Sequence, residues 1–244
     1  MDYANSTTPL IAKLPPHKQS GWFITQPEDV KWYALCFFGS MAFFSVLTLA
    51  FYMYFESTPK SHYYHAMKDI DKKRFVEILN SNVSHTIVVS FAFYNIFFPD
   101  CEGSYPFQWF VDDLCYMTVD VKYGMACFVM VGYLLFDYLL AKFWIRGNEA
   151  IDRQMNFHHV VAAAATLTGV YTGYALSGVG NVLLTMEAST VALNYRSLYD
   201  KKDFHLFVPT MLQGAFCLQF TTFRIILMPY VYIRFYLKHE LFWD

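Results

Sequence analysis

The chain has 244 residues, of which 56% are hydrophobic and 16% are charged, whereas soluble domains typically carry roughly 25% charged residues. Its net charge is −2 and no basic stripe interleaved with aromatic residues occurs, which argues against nucleic acid as a partner. This balance excludes an ordinary soluble domain and predicts an all-α integral membrane protein.

The N-terminal segment, residues 1–31, contains four of the nine prolines. It has no apolar core of signal-peptide length, and it is neither rich in arginine nor poor in acids, as a transit peptide should be. We therefore expect a polar, proline-rich arm, with a targeting signal either in the first transmembrane helix or not readable in this sequence.

Six apolar stretches follow, each near the ~20 residues needed to cross a hydrocarbon core. They occupy residues 32–55, 78–98, 124–144, 158–176, 178–198 and 204–237. The last is too long for one straight span, and Pro209 and Pro229 predict kinks or an interfacial end. The sequence thus predicts a polytopic bundle of about six transmembrane helices over residues 32–237, followed by a short tail at 238–244.

The loops differ in charge. Lysine and arginine concentrate in the first, third and fifth loops, which a six-helix topology places on one side, and this bias predicts that side to be cytosolic or, in a mitochondrion, matrix. The loop at 99–123 is acidic and aromatic. Two alternatives stay open for its Cys101 and Cys115: a disulfide, which requires that the loop face an oxidising compartment, or two reduced thiols. The five cysteines have no metal-ligand spacing, so no metal site is predicted.

Several ionisable residues interrupt the apolar stretches. Such groups cost ~2.5–3.5 kcal/mol each inside a bilayer and normally face the interior of a bundle. Counted along their helices, His85, Asp137 and the pair His158–His159 lie on the basic side, and Glu187 lies near mid-depth. The positions predict one polar layer to which several helices contribute, and its remaining members are Ser189, Asn194 and Arg196.

The two consecutive histidines are candidates for chemistry. His158 and His159 diverge by about 100° on a helix, so they cannot both aim at one point. A general base oriented by the carboxylate of Glu187 is the better chemical hypothesis than a two-histidine metal site. The structural alternatives are that the histidines cap the start of the fourth helix, and that Glu187 is a neutral buried acid or is paired with Arg196 or a histidine.

Three further residues have non-catalytic expectations. His85 and Asp137 are predicted to be partners in the polar network. Arg224 lies about twenty residues into the sixth stretch, so it is expected near the opposite face of the membrane, snorkelling or binding a lipid headgroup.

The run from Arg74 to the C-terminus resembles a TLC domain, the membrane domain shared by ceramide synthases and several lipid-related relatives. The matching pieces are SNVSHTIVVSFAFY, GYLLFDYLLAKFW, MNFHHVVAAA, GNVLLTMEASTVALNYRSL and FRIILMPY, in that order. The resemblance implies six helices that enclose a central cavity for a lipid or acyl chain. It also implies the endoplasmic reticulum or another endomembrane, with the mitochondrial inner membrane as the alternative.

In ceramide synthases the paired histidines act with a downstream His-Asp-x-Ser-Asp cluster, whereas residues 186–190 of this chain read Met-Glu-Ala-Ser-Thr. The chain is therefore more similar to the smaller, non-synthase TLC proteins, and the resemblance leaves acyl transfer open, with His158, His159 and Glu187 as catalytic candidates.

The expected function is to bind or handle a lipid or acyl chain in an intramembrane cavity. The alternative is a non-catalytic, TLC-derived accessory subunit of a larger membrane complex, for example in the mitochondrial inner membrane. Such a subunit would stabilise assembly, hold structural lipids and contact other subunits through the arm and the loop at 99–123. No cofactor is predicted besides a bound phospholipid or acyl lipid.

Overall fold

The structure, a computed structural model, describes residues 27–98, 108, 121–146, 150–172, 180–199 and 205–238. Within these ranges the regular structure is helical throughout. Most of the predicted arm, almost all of the loop at 99–123 with Cys101 and Cys115, and residues 239–244 of the tail lie outside the described residues.

The helices of the described residues run as follows: α1 Pro27–Glu56, α2 Tyr63–Ala66, α3 Asp69–Phe97, α4 Val121–Leu140, α5 Ala150–Thr172, α6 Asn181–Thr185, α7 Ala188–Ser197, α8 Phe207–Phe220 and α9 Met228–Lys238. Two π-helical turns continue this list: Ala141–Ile145 extends α4, and Thr221–Leu227 joins α8 to α9.

Four helices, namely α1, α3, α4 and α5, begin earlier than their apolar stretches predict. Helix α1 begins at Pro27, and proline is well tolerated in a first turn because its missing N–H would have no partner there. Helix α3 begins at Asp69, whose carboxylate suits the positive end of the helix dipole. Helix α5 begins at Ala150, two turns before the histidine pair. The apolar pattern marks the part of a helix that contacts hydrocarbon, and polar first turns extend beyond it.

The fifth predicted stretch is not one continuous helix. It consists of α6 and α7, with turn residues at Met186 and Glu187 between them. This break lies at Glu187, the acid of the predicted polar layer in this stretch.

Within the described parts of the chain, three helical segments are long and apolar enough to cross a membrane: Val30–Glu56, Lys122–Ile145 and Phe207–Arg234. Helices α3 and α5 are also long, with 29 and 23 residues, but carry more polar residues. The predicted class, an all-α membrane protein, is confirmed.

Helix α4 is the centre of the packing, because it contacts α1, α3 and α5. Helix α3 also packs against α6 and α7, and α7 packs against α8. The core between α1, α3 and α4 contains Phe44, Val88 and Tyr133, each at most 1% exposed. Ala162 and Ala163 of α5 pack against this core.

Candidate functional site

A cavity of about 520 Å³ lies between α3, α4, α5, α7 and the second π-helical turn. Its apolar lining includes Met130, Leu134, Ala162 and Leu193. The ionisable side chains that line it are Arg74, Glu77, His85, Tyr133, Asp137, His158, His159, Glu187 and Arg224. Polar groups from five segments therefore border one space, as the common depth of the sequence positions predicts.

His85 and Glu187 form the first acid–imidazole pair of the cavity. The Nε2 atom of His85 lies 3.1 Å from Oε2 of Glu187, and Thr190 Oγ1 donates to the same carboxylate oxygen at 2.9 Å. The other ring nitrogen of His85, Nδ1, lies 2.7 Å from the backbone oxygen of Ser81. Because a carbonyl oxygen can only accept, this Nδ1 carries a proton. Both nitrogens of His85 are thus occupied by the protein.

The proton count of this pair has a simple consequence. With Nδ1 protonated, one further proton sits between Nε2 and the Glu187 carboxyl: the pair is imidazolium with carboxylate, or neutral imidazole with carboxylic acid. Its net charge is zero in both forms. A neutral pair is the inexpensive way to keep an acid inside a membrane.

Asp137 and His159 form the second pair. Both side chains are buried, and Oδ2 of Asp137 lies 3.3 Å from Nδ1 of His159. The two atoms are within ion-pair distance, but they do not form a hydrogen bond. Nδ1 of His159 has no hydrogen-bond partner among the described residues. If His159 acts as a base, its other nitrogen, Nε2, must face the substrate, as in acid–histidine catalytic arrangements.

Two side chains connect the pairs. The Ser81 hydroxyl lies 3.1 Å from Nδ1 of His85 and accepts from Asn194 Nδ2 at 2.9 Å. The Tyr133 ring meets the His85 ring edge-on, with centroids 5.5 Å apart, and Tyr133 is close enough to Ser81 and Asp137 to interact with them electrostatically. Ser81 and Tyr133 therefore lie between the two acid–imidazole pairs.

The sequence profile of the TLC domain (TRAM–LAG1–CLN8) matches residues 74–243, more than half of the chain. The chain belongs to the TLC-domain family. The predicted resemblance is confirmed. No curated protein and no solved structure matches the chain.

The hypothesis that His158 or His159 pairs with Glu187 is wrong, whereas the alternative that Glu187 is paired with a histidine agrees with the structure. Glu187 contacts His85, not His158 or His159, and His159 contacts Asp137. The reason is that contact depends on how the helices of the TLC domain are rotated about their axes, which depth along the chain does not determine.

The histidine pair also differs from its prediction. His158 is exposed and His159 is buried, yet both line the cavity, with ring centroids 5.8 Å apart. A cavity of this width accepts two side chains that diverge on a helix. A capping role at the helix start is excluded, because α5 begins eight residues before His158.

Of the remaining predicted members of the polar layer, one lines the cavity and two do not. Asn194 lines the cavity of the TLC domain and donates to Ser81, as described above. Ser189 and Arg196 are buried but are not among its lining residues, and Ser189 Oγ donates to the backbone oxygen of Met186 at 2.9 Å.

Arg224 lines the same cavity as Glu187, so the expected position near the opposite face is wrong. The segment from Phe207 to Lys238 is about 48 Å long at 1.5 Å per residue, far more than the ~30 Å hydrocarbon core. In so long a segment, residue count is a poor measure of depth.

Sequence reasoning missed three lining residues of α3: Arg74, Glu77 and Ser81. A signal for them exists, because these residues and His85 follow one another at spacings of three or four and therefore share a helix face. The apolar-stretch prediction started this helix at residue 78, and so it left two of the three residues in a loop.

Proposed function

We propose that this protein binds a lipid in the cavity between α3, α4, α5 and α7, with the headgroup against the polar wall and an acyl chain along the apolar wall. The supporting observation is the lining itself, in which ionisable and apolar side chains border about 520 Å³ of space. Cavities of roughly 300–1,000 Å³ accommodate small organic ligands. An amphiphile is the ligand that satisfies both walls.

The packing of α5 supports a lateral route for that lipid. Among the described residues, the extensive packing of α5 is with α4. Phe157, Val160 and Val161 of α5 are exposed close to the cavity histidines. Exposed apolar side chains beside a cavity suit contact with an acyl chain that leaves it for the bilayer.

Lipid mass spectrometry of the purified protein tests the proposal. Glu187→Gln and His158→Ala alter the cavity lining, whereas Glu56→Gln is a matched control, because it removes a carboxylate that pairs with Lys72 outside the cavity. We expect a specific lipid to copurify with the wild type and the control and to be depleted in the two cavity variants. Thermal unfolding of each variant separates loss of lipid from loss of fold.

The opposite result is equally informative. If all four proteins retain the same lipids in the same amounts and unfold at the same temperature, the cavity is not a lipid site. The accessory-subunit alternative is then favoured, since it needs no ligand at Glu187.

One observation specifically supports that alternative. Only 6% of the most apolar part of the span Phe207–Arg234 is buried, the lowest fraction of the three candidate spans. On α8 and the following turn, Thr210, Gly214, Cys217 and Thr221 are all exposed at spacings of four, three and four, which is one stripe. Small residues on one face are typical of helix–helix contacts in membranes. Crosslinking through Cys217 in native membranes would reveal a partner, and only monomer after crosslinking would count against it.

The compartment belongs to the proposal as well. We propose the endoplasmic reticulum or another endomembrane, by analogy with the family, and the mitochondrial inner membrane if the accessory-subunit alternative holds. Co-fractionation of the tagged full chain with markers of the two membranes distinguishes them.

A further inference from the structure

Arg224 brings a positive charge into the cavity that no contacting carboxylate balances. It lies in the π-helical turn Thr221–Leu227 and lines the cavity. Its buried Nε has no hydrogen-bond partner, and no carboxylate of the described residues lies within 4.0 Å of its guanidinium. A guanidinium stays protonated in proteins, so this charge is permanent.

The acid that interacts with Arg224 electrostatically, Glu187, already has other partners. Arg224 is close enough to Glu187 to interact with it electrostatically, but the carboxylate contacts His85 and Thr190 instead. Because the His85–Glu187 pair is neutral whichever partner holds the proton, it does not offset the arginine. The Asp137 carboxylate is directed to His159.

An aromatic ring one turn earlier in the same helical segment holds the guanidinium of Arg224 in position. Its central carbon lies 5.6 Å from the centroid of the Phe220 ring, one turn away, a cation–π contact that holds the side chain against α8. Insertions of π-helical geometry are frequent at functional sites. The planar donor fork of arginine matches carboxylate and phosphate oxygens.

We propose that Arg224 binds the oxyanion of the lipid in this cavity, so that the site selects amphiphiles with a phosphate or carboxylate headgroup over neutral ones. This inference rests on the proposed lipid-binding function and adds the chemical class of the ligand. Phosphate and carboxylate share the required chemistry, and the test separates them.

The test measures binding of three probes to the purified full chain in detergent by native mass spectrometry. Dioleoyl phosphatidate carries a phosphate, oleate carries a carboxylate, and dioleoylglycerol is neutral. The proteins compared are the wild type, Arg224→Gln, Arg224→Lys and a matched control, Arg234→Gln, which removes an arginine of α9 that does not line the cavity.

We expect the wild type and the Arg234→Gln control to bind phosphatidate or oleate more tightly than dioleoylglycerol. Arg224→Gln should weaken binding of the preferred anionic probe by roughly 10- to 100-fold, the loss typical of a charged hydrogen bond, and leave dioleoylglycerol binding unchanged. Arg224→Lys should fall between the two, because it keeps the charge and loses the fork. Whichever anionic probe responds identifies the headgroup.

Two results would overturn the inference in different ways. If the wild type binds all three probes equally, or if Arg224→Gln keeps the anionic preference, Arg224 is not the anchor but the cavity remains a lipid site. If no probe binds to the wild type, both the inference and the proposed function fail.

Discussion

Replacing Gly132 by alanine should destabilise the protein, because α1 passes directly over this position of α4. A Cβ atom there would lie 2.5 Å from Oγ of Ser40 and 2.6 Å from the backbone oxygen of Phe37. Both separations are shorter than Cβ atoms tolerate. The serine side chain can rotate away, but the Phe37 carbonyl can move only if α1 shifts as a whole.

The expected magnitude follows from two opposing effects. Overpacking a well-packed contact costs ~1–3 kcal/mol, and replacing glycine by alanine within a helix returns ~0.5–1 kcal/mol. At the middle of the two ranges the net loss is about 1 kcal/mol. At roughly 2–4 °C per kcal/mol for a chain of this size, the unfolding midpoint should fall by about 2–4 °C.

Thermal unfolding in one detergent, followed by tryptophan fluorescence at a fixed scan rate, measures this shift. The fixed rate matters because unfolding of such proteins is often irreversible. Gly39→Ala and Gly214→Ala are matched controls, since an added Cβ at either position meets nothing within 4 Å. Both should be neutral or slightly stabilising. A Gly132→Ala midpoint equal to that of the controls would refute the close approach of α1 and α4.

Two further predictions concern polar contacts. His85→Ala leaves the Glu187 carboxylate in the cavity wall without its partner at 3.1 Å. It should therefore lower the free energy of unfolding by ~3–5 kcal/mol, which is more than the loss expected for Glu187→Gln. Equal unfolding midpoints for the two variants would contradict the pairing. Thr48→Val removes the nearer of the two acceptors of Asn80 Nδ2, 2.8 Å away, and leaves the Phe44 backbone oxygen at 3.3 Å. It should cost ~0.6 kcal/mol and at most ~1.7 kcal/mol, as intramembrane hydrogen bonds do. In a double-mutant cycle with Asn80→Leu this cost should vanish, and full additivity would show that the two residues do not interact.

Much of the fold is predictable from the sequence because apolar runs in a membrane protein have a required length. That reasoning finds the clean span of α1 and the one acid of α4. It fails at helix starts such as Asp69, where polar turns outside the hydrocarbon still have good helical chemistry. It also misses the break at Met186 and Glu187, because turn residues inside an apolar run have no sequence signal comparable to proline.

The sequence predicts which residues share the site, but it does not predict which of them contact each other. The cost of ionisable groups in hydrocarbon brings His85, Asp137, His159 and Glu187 to one interior space, and this holds. Which histidine contacts which acid depends on the rotation of each helix, and one residue changes that angle by about 100°. Depth could be counted from the sequence, whereas rotation could not.

Tyr133 shows why the packing of α1 bears on the cavity. Its ring meets Phe44 of α1 edge-on at 5.2 Å on one side and His85 at 5.5 Å on the other. Gly132, the residue before it, sets how closely α1 approaches α4. A shift of α1 at that glycine therefore moves the aromatic ring against which His85 is held. For this reason Gly132→Ala, a change on the α1 side of α4 at a residue that does not line the cavity, should alter lipid retention as well as lower the unfolding midpoint.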